Sequence, residues 1–241
     1  MNTFVELWTY LSATPLFGLT ATLSVYVVAH GLYTRWDQAP WANPVLWSVV
    51  ALAGLLMATG TAYPTYFSGA QFIHVLLGPA VVALGWPLWQ RRAELAQRWR
   101  PLLAASLAGG AAAAGSAVAL GWALDLPGDV LRSLAPKSVT APVAMGIAES
   151  LGGIPALAAV VAVVTGLVGA LSARPLFRLL GVGDSPADWQ ARGFALGTAS
   201  HGIGAARALQ VNADAGAYAG LALGMQAVLA SVLMPLMLRW G

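Results

Sequence analysis

Two stretches, Leu102 to Leu124 and Ile154 to Ser172, run without one charged side chain. Each has about the 20 residues that carry a helix through the roughly 30 Å hydrocarbon layer of a bilayer. Lipid offers the peptide groups no water, so a spanning segment must bond its own backbone, and a helix does this within one segment. The remainder is built alike: of 241 residues 59% are hydrophobic and 9% charged, against about a quarter charged in an ordinary soluble domain. The composition therefore specifies an all-α integral membrane protein, a single polytopic transmembrane domain over residues 1–241. The formal charge of +3 comes from scattered arginines, which gives no basis for nucleic-acid binding. With no cysteine, disulfides, thiol catalysis and thiolate metal sites are excluded.

About seven to eight hydrophobic helical segments are expected. Phe4–Leu11 reads as a short interfacial segment, and Leu16–Tyr33 and Val45–Tyr63 as the first two spans. Gly69–Trp89 is a third, interrupted by Gly78 and Pro79. Arg91, Arg92, Arg98 and Arg100 make 90–101 the most basic loop, which the positive-inside rule places in the cytoplasm. Leu102–Leu124 follows, its small residues suiting burial against other helices. Ile154–Ser172 ends at Arg174 and Arg178 and so should finish inside. Counting sides then leaves Val130–Gly153 entering and leaving from the outer face, as a re-entrant hairpin or as two short crossings. A polar connector, Arg174–Arg192, leads to Gly193–Gln210, whose Gly197, Gly202 and Gly204 argue against a uniform helix. Tyr218–Leu238 closes the chain, with Gly216, Gly220 and Gly224 forming a flat face for tight packing.

The chemistry concentrates in Leu134–Gly153. It holds the only lysine, Lys137, with Ser138 and Thr140 beside it. Pro136 and Pro142 deny a continuous helix. A helix restarting at Ala141 would take Thr140 as N-cap and Pro142 in its first turn, bringing a cation, two hydroxyls and a helix N-terminus together, which suits an anion. The plainer alternative is a lysine in a water-exposed loop between two apolar helices. Gly152 and Gly153 mark the far end of the break. Residues 76–81 and 134–139 share a proline-broken pattern, and interrupted segments recurring in two halves of a membrane protein point to a midplane site and an inverted repeat.

Thr198, Ser200 and His201 lie in the second broken segment, with Thr198, His201 and Ala205 at helical spacing on one face. A histidine there is either held neutral against a carbonyl or lines a solute pathway. Adjacent serine and histidine point about 100° apart on a helix, so a hydrolytic pair is a poor fit. Arg207 either meets a carboxylate through its planar fork or snorkels to the interface. Glu149 is expected to be a buried partner for a cation such as Lys137; His30 and His74 are assigned structural roles. No metal-ligand spacing and no cofactor motif occurs.

Three ordered blocks, Gly69–Phe72 through Leu84, Pro136–Thr140 with Gly152–Pro155, and Gly197–Gly204, together resemble the LrgB/CidB family over almost the whole chain. The resemblance implies a non-enzymatic, multi-pass protein of the bacterial inner (plasma) membrane. It implies either of two roles. One is a holin/antiholin-like pore or regulator of murein hydrolase export and cell lysis, acting with a small LrgA/CidA-type partner. The other is a carrier of small monocarboxylates, glycolate or glycerate as in plastid relatives or pyruvate as in some bacterial ones. The residues favour the carrier, with Lys137, Ser138, Thr140, Thr198, Ser200, His201 and Arg207 holding the solute, proton coupling through His201, and a homodimer or higher assembly. One departure is visible: where relatives read a glutamate shortly after Gly-Thr-Ala, this chain has Gly204-Ala205-Ala206 and Gln210.

Overall fold

The computed structural model describes residues 15–37, 39–76, 79 and 85–238. Phe4–Leu11 and Gly78 fall outside these. The described residues are helical without strands, and four helices are long and apolar enough to cross a membrane. The chain forms two compact units, 1–80 and 81–241.

The first unit holds α1 (Pro15–Arg35), α2 (Pro44–Thr59) and α3 (Tyr63–Val75). Asn43 starts α2 by accepting from the backbone N–H of Val45 and Leu46, with Pro44 following, and Gly60 ends it at φ +62°. This is the expected order of a side-chain cap before the helix and glycine after it. Gly18 lets α1 lie against the Tyr66 carbonyl, and Thr22 Oγ1 meets Tyr66 Oη at 2.7 Å. His30 is exposed and sits between Tyr26 and Tyr33, ring centroids 6.0 and 6.3 Å away, in keeping with a structural role. The expected third span starts earlier than read, at Tyr63, and its first helix stops at Val75; Pro79 is exposed.

The second unit runs α4 (Gly85–Gln90), α5 (Arg92–Ala123), α6 (Gly128–Leu134), α7 (Ala141–Ser150), α8 (Pro155–Leu179), α9 (Pro186–Val211) and α10 (Ala213–Leu238). The expected basic loop is helical: α5 begins at Arg92, bends where Arg98 leaves helical geometry, and carries Pro101 inside. The connector is shorter than read, because α8 continues through Pro175 to Leu179 and α9 starts at Pro186. In a membrane helix, neighbouring groups satisfy the carbonyl that an internal proline frees, so proline alone does not mark an end. The segment Leu102–Leu124 is helical as expected but not enclosed: only 11% of its apolar window is buried.

The stretch before α8 is a hairpin. At 1.5 Å per residue α6 and α7 are about 10 and 15 Å long, so neither crosses the hydrocarbon layer and the two-crossing alternative is set aside. Ser133, at the end of α6, donates to the Asp129 carbonyl at 2.6 Å and accepts from the Ile154 N–H at 2.7 Å, so the chain that leaves α6 for the break returns through α7 to the same point. Thus the start of α8 is tied to α6.

A second hairpin lies within α9. His201 adopts φ +42°, ψ −134° inside it. In a continuous helix Leu196 and Gly204 would stand about 12 Å apart. Instead a Cβ added at Gly204 would sit 2.7 Å from the Leu196 carbonyl oxygen, and Leu196 packs with Ala208, Ala215 and Ala219. The chain therefore doubles back at His201. The positive φ falls on the histidine, while Gly202, expected to carry the break, has none.

The two hairpins enter from opposite ends of α8. The first joins the Pro155 end. The second rises from the Leu179 end, where the Arg192 guanidinium lies over the rings of Phe177 and Trp189. Each hairpin is followed by a long apolar helix, so 128–179 and 186–238 are nearly equal stretches of opposite sense. Within the second unit the break at Pro136 is matched by the one at His201; the expected pairing of residues 76–81 with 134–139 falls for the most part on residues outside those described.

Helices α9 and α10 seat against each other through Gly193 and Gly197, whose missing Cβ atoms leave room for the Ala215 and Ala219 carbonyls. Of the expected face of Gly216, Gly220 and Gly224, Gly216 adds to the seam by lying against Leu209 of the returning arm of α9.

Candidate functional site

Both hairpin tips pack against α8 in the neighbourhood of Ala162. It packs in a buried cluster with Val139, Val143 and Ala144, which flank the first break, and Ala141 lies against the same cluster. Its carbonyl oxygen lies 2.8 Å from Nε2 of the buried His201, at the second break. Of the two readings for the histidine, the contact with a carbonyl is the one observed. Gly166 and Gly169 on the same face of α8 make the approach possible: a Cβ at Gly166 would meet the His201 ring, and one at Gly169 would run into Ser200 Oγ.

Around this point the polar atoms are conspicuous for what they lack. Ser138 Oγ, Thr140 Oγ1, Thr198 Oγ1 and Ser200 Oγ are all buried with no hydrogen-bond partner. A buried hydroxyl left unpaired costs roughly 1–3 kcal/mol, and most buried polar groups in native proteins are paired. Four such hydroxyls at two adjoining helix breaks are therefore a concentrated deficit, and they are residues that the sequence singled out. Thr140 occupies the N-cap position of α7 as read, with Pro142 in the first turn, but its side chain makes no capping bond. Its hydroxyl stays available. The tips also present two helix starts, α7 at Ala141 and the returning arm of α9 at Gly202, whose first N–H groups have no partner within the helix.

Lys137 sits at the first tip, half-buried, its backbone N–H donating to the Leu134 carbonyl at 3.2 Å. Among the described residues the ion pairs are Arg91 with Glu94 and Arg192 with Asp184, so its ammonium has no carboxylate partner. The expected pairing with Glu149 is not made: Glu149 is exposed at the end of α7. A glutamate so placed keeps its hydration, whereas burial would demand a cation.

Two further expectations change. Thr198, His201 and Ala205 do not share a face, because the reversal at His201 resets the helical phase. Thr198 faces α5, its Cγ2 filling the space over Gly109, while Ser200 and His201 face α8. Arg207 lies on the returning arm with Nη1 3.3 Å from Gln210 Oε1, away from the tip, so it does not join the other six. Sequence reasoning missed Ser133 and the glycines of α8. The spacing of Gly166 and Gly169 is a helical i, i+3 pair that could have flagged the receiving face.

Against known proteins, the LrgB-like family model matches residues 22–240. YxaC of Bacillus subtilis, named as uncharacterized, is 33% identical over 215 residues, 89% of this chain and 91% of that protein. A protein of Haemophilus influenzae, also without a described function, is 30% identical over 98% of this chain and 95% of its own length. The holin-like protein CidB of Staphylococcus epidermidis is 29% identical over 95% of this chain and 97% of that protein. No solved structure matches the chain.

Proposed function

The chain belongs to the LrgB-like family as a multi-pass membrane protein, and from that premise we propose that it is a carrier for small monocarboxylates of the pyruvate, glycolate or glycerate class. One observation carries the reading: four partnerless hydroxyls, a lysine without a carboxylate partner and two helix starts belong to two opposed hairpins that both reach Ala162. A carboxylate accepts hydrogen bonds at both oxygens, so Ser138, Thr140, Ser200 and Lys137 supply the donors it takes. Thr198 supports the site from the α5 side. His201 holds the second tip through Ala162 and is the residue through which a proton would be coupled. No catalytic step is assigned. The protein sits in the bacterial plasma membrane with its arginine-rich end in the cytoplasm, as a homodimer or higher assembly.

The test is uptake of radiolabelled pyruvate or glycolate into proteoliposomes. Lys137→Ala should abolish it with the helical content unchanged; undiminished uptake removes Lys137 from the site.

A second reading has its own support. The CidB relatives carry the name holin-like, which speaks for a holin-like pore or regulator, acting with a small LrgA/CidA-type partner, more directly than for a carrier of any acid. Release of a trapped large fluorophore from the same liposomes separates the two. A carrier retains the dye, and a pore lets it go.

A further inference from the structure

A groove runs along the flank of the second unit between α5 and α10, with a volume of about 620 Å³. It is walled by Leu107, Gly110, Ala114 and Val118 on one side and by Gln226 and Leu233 on the other. From Ser106 to Trp122, its limits on α5, it extends about 24 Å. The whole empty space, about 1350 Å³, gives a mean cross-section of about 56 Å², still under the roughly 80 Å² of a helix 10 Å across and open to an extended hydrocarbon chain.

The wall holds one polar exception. Gln226 is 5% exposed, and its one described hydrogen bond is from Nε2 to the Ser106 carbonyl at 2.6 Å. Its second amide N–H and Oε1 stand at the groove's end nearer the α5 N-terminus. Beyond that end, Arg100 stands seven residues before Leu107, two turns away on the same helix face, with its guanidinium 5.5 Å from the Trp99 ring. Among the described residues Arg100 makes no ion pair, and Arg98 bonds the neutral Gln190, Nη1 to Oε1 at 3.3 Å. The acids Glu94 and Asp184 nearby are taken by Arg91 and Arg192. The order along the flank is thus unpaired arginine, interfacial tryptophan, buried amide, then an apolar channel narrower than a helix.

We propose that this flank is a binding site for an anionic diacyl phospholipid, with its phosphate on Arg100, its ester region at Gln226 and one acyl chain in the groove. Arginine is the side chain suited to a phosphate, and Trp99 belongs to the interfacial aromatics that sit at headgroup level. The site is separate from the hairpin tips and does not depend on the carrier reading.

Native mass spectrometry of the delipidated full chain, with phosphatidylglycerol and phosphatidylcholine of identical acyl chains, tests this. The wild type should retain at least about fivefold more phosphatidylglycerol. Arg100→Gln should bring the two lipids to parity, while Arg178→Gln on α8 leaves the preference intact. Gly115→Phe, at a groove position where a Cβ meets nothing within 4 Å, should reduce retention of both lipids severalfold; Ala111→Leu, also in the wall, repeats the test should the first variant not fold. Glycerol phosphate, added at the lipid's concentration, should not displace it. Equal retention of both lipids by the wild type, a preference that survives Arg100→Gln, retention unaffected by filling the groove, or displacement by glycerol phosphate would each overturn the proposal.

Discussion

At His201 a side chain with a Cβ occupies backbone space that is ordinarily left to glycine, at φ +42°, ψ −134°. Holding a residue in such a region costs on the order of 1–3 kcal/mol, and the ring's hydrogen bond to Ala162 offsets part of it. His201→Ala loses the bond and keeps the strain, whereas His201→Gly loses both. Glycine should therefore be the better tolerated, by about 1 kcal/mol in thermal unfolding in detergent; alanine equal or better would show that the turn is unstrained. In the polar turn before α9, Ser185 caps Asp188 while its hydroxyl and its backbone N–H donate to the Asp188 carboxylate, holding that group below its usual value, with Arg192 adding to the effect. A depressed folded value means the stabilisation is complete above the ordinary carboxylate value near 4 and is lost as pH falls through the folded one. Asp188→Ala should lower Tm at pH 7, and the gap from wild type should close as the pH is taken well below 4. The candidate residues were legible because polar groups are scarce: one lysine, and hydroxyls beside prolines and glycines. Their neighbours were not, since the partner of His201 is a carbonyl, identical in every residue.

Among the elements, the seam of α9 and α10 turns on two positions. A Cβ at Gly197 would run into the Ala219 carbonyl, a backbone atom that cannot swing aside, while one at Gly115 or Gly54 meets nothing. Gly197→Ala should cost about 1–3 kcal/mol from overpacking, lowering Tm or the yield of folded protein. Gly115→Ala should be neutral or stabilising by up to about 1 kcal/mol, as alanine is the better helix former. Equal effects would mean that the two helices do not touch at Gly197. Sequence spacing announced a glycine face on α10, and Gly216 does seat against Leu209 of α9; it did not single out Gly193 and Gly197 as its partners, because a four-residue repeat says which residues align and not which neighbour they meet. Element starts were legible at Pro142 and Pro155, each in a first turn; Pro186 also opens a helix, but the polar residues around it read as connector. Pro101, Pro175 and Pro235 gave no such guidance, lying within helices. The first break could be read from its prolines and the second from Gly197, Gly202 and Gly204; that the second is a full reversal turning on His201 could not, since glycines mark where a helix weakens and not which residue takes the positive φ.

Over the second unit as a whole, the hairpin of α6 and α7 leaves both its ends on one face of the membrane. The absence of cysteine makes single-cysteine labelling clean. Cysteines at Asp125 and Gly152 should both react with an impermeant maleimide added outside intact cells, and one at Arg178 only after permeabilisation. Labelling of 125 and 152 from opposite faces would replace the hairpin by a crossing. The parity of arginines already implied this arrangement, since it needs only charge and span length. What arginine counts could not supply is that the second broken segment is also a hairpin, entering from the other end, because the clue is packing of Leu196 on Ala208 across the turn. A body made of two such parts in opposite senses is, to the insertion machinery, almost the same object upside down. Its way up is then decided by a handful of charges, Arg91 to Arg100 with Arg174, Arg178 and Arg192 at one end against Arg132 at the other, and relocating a few of them would be enough to invert the protein in its membrane.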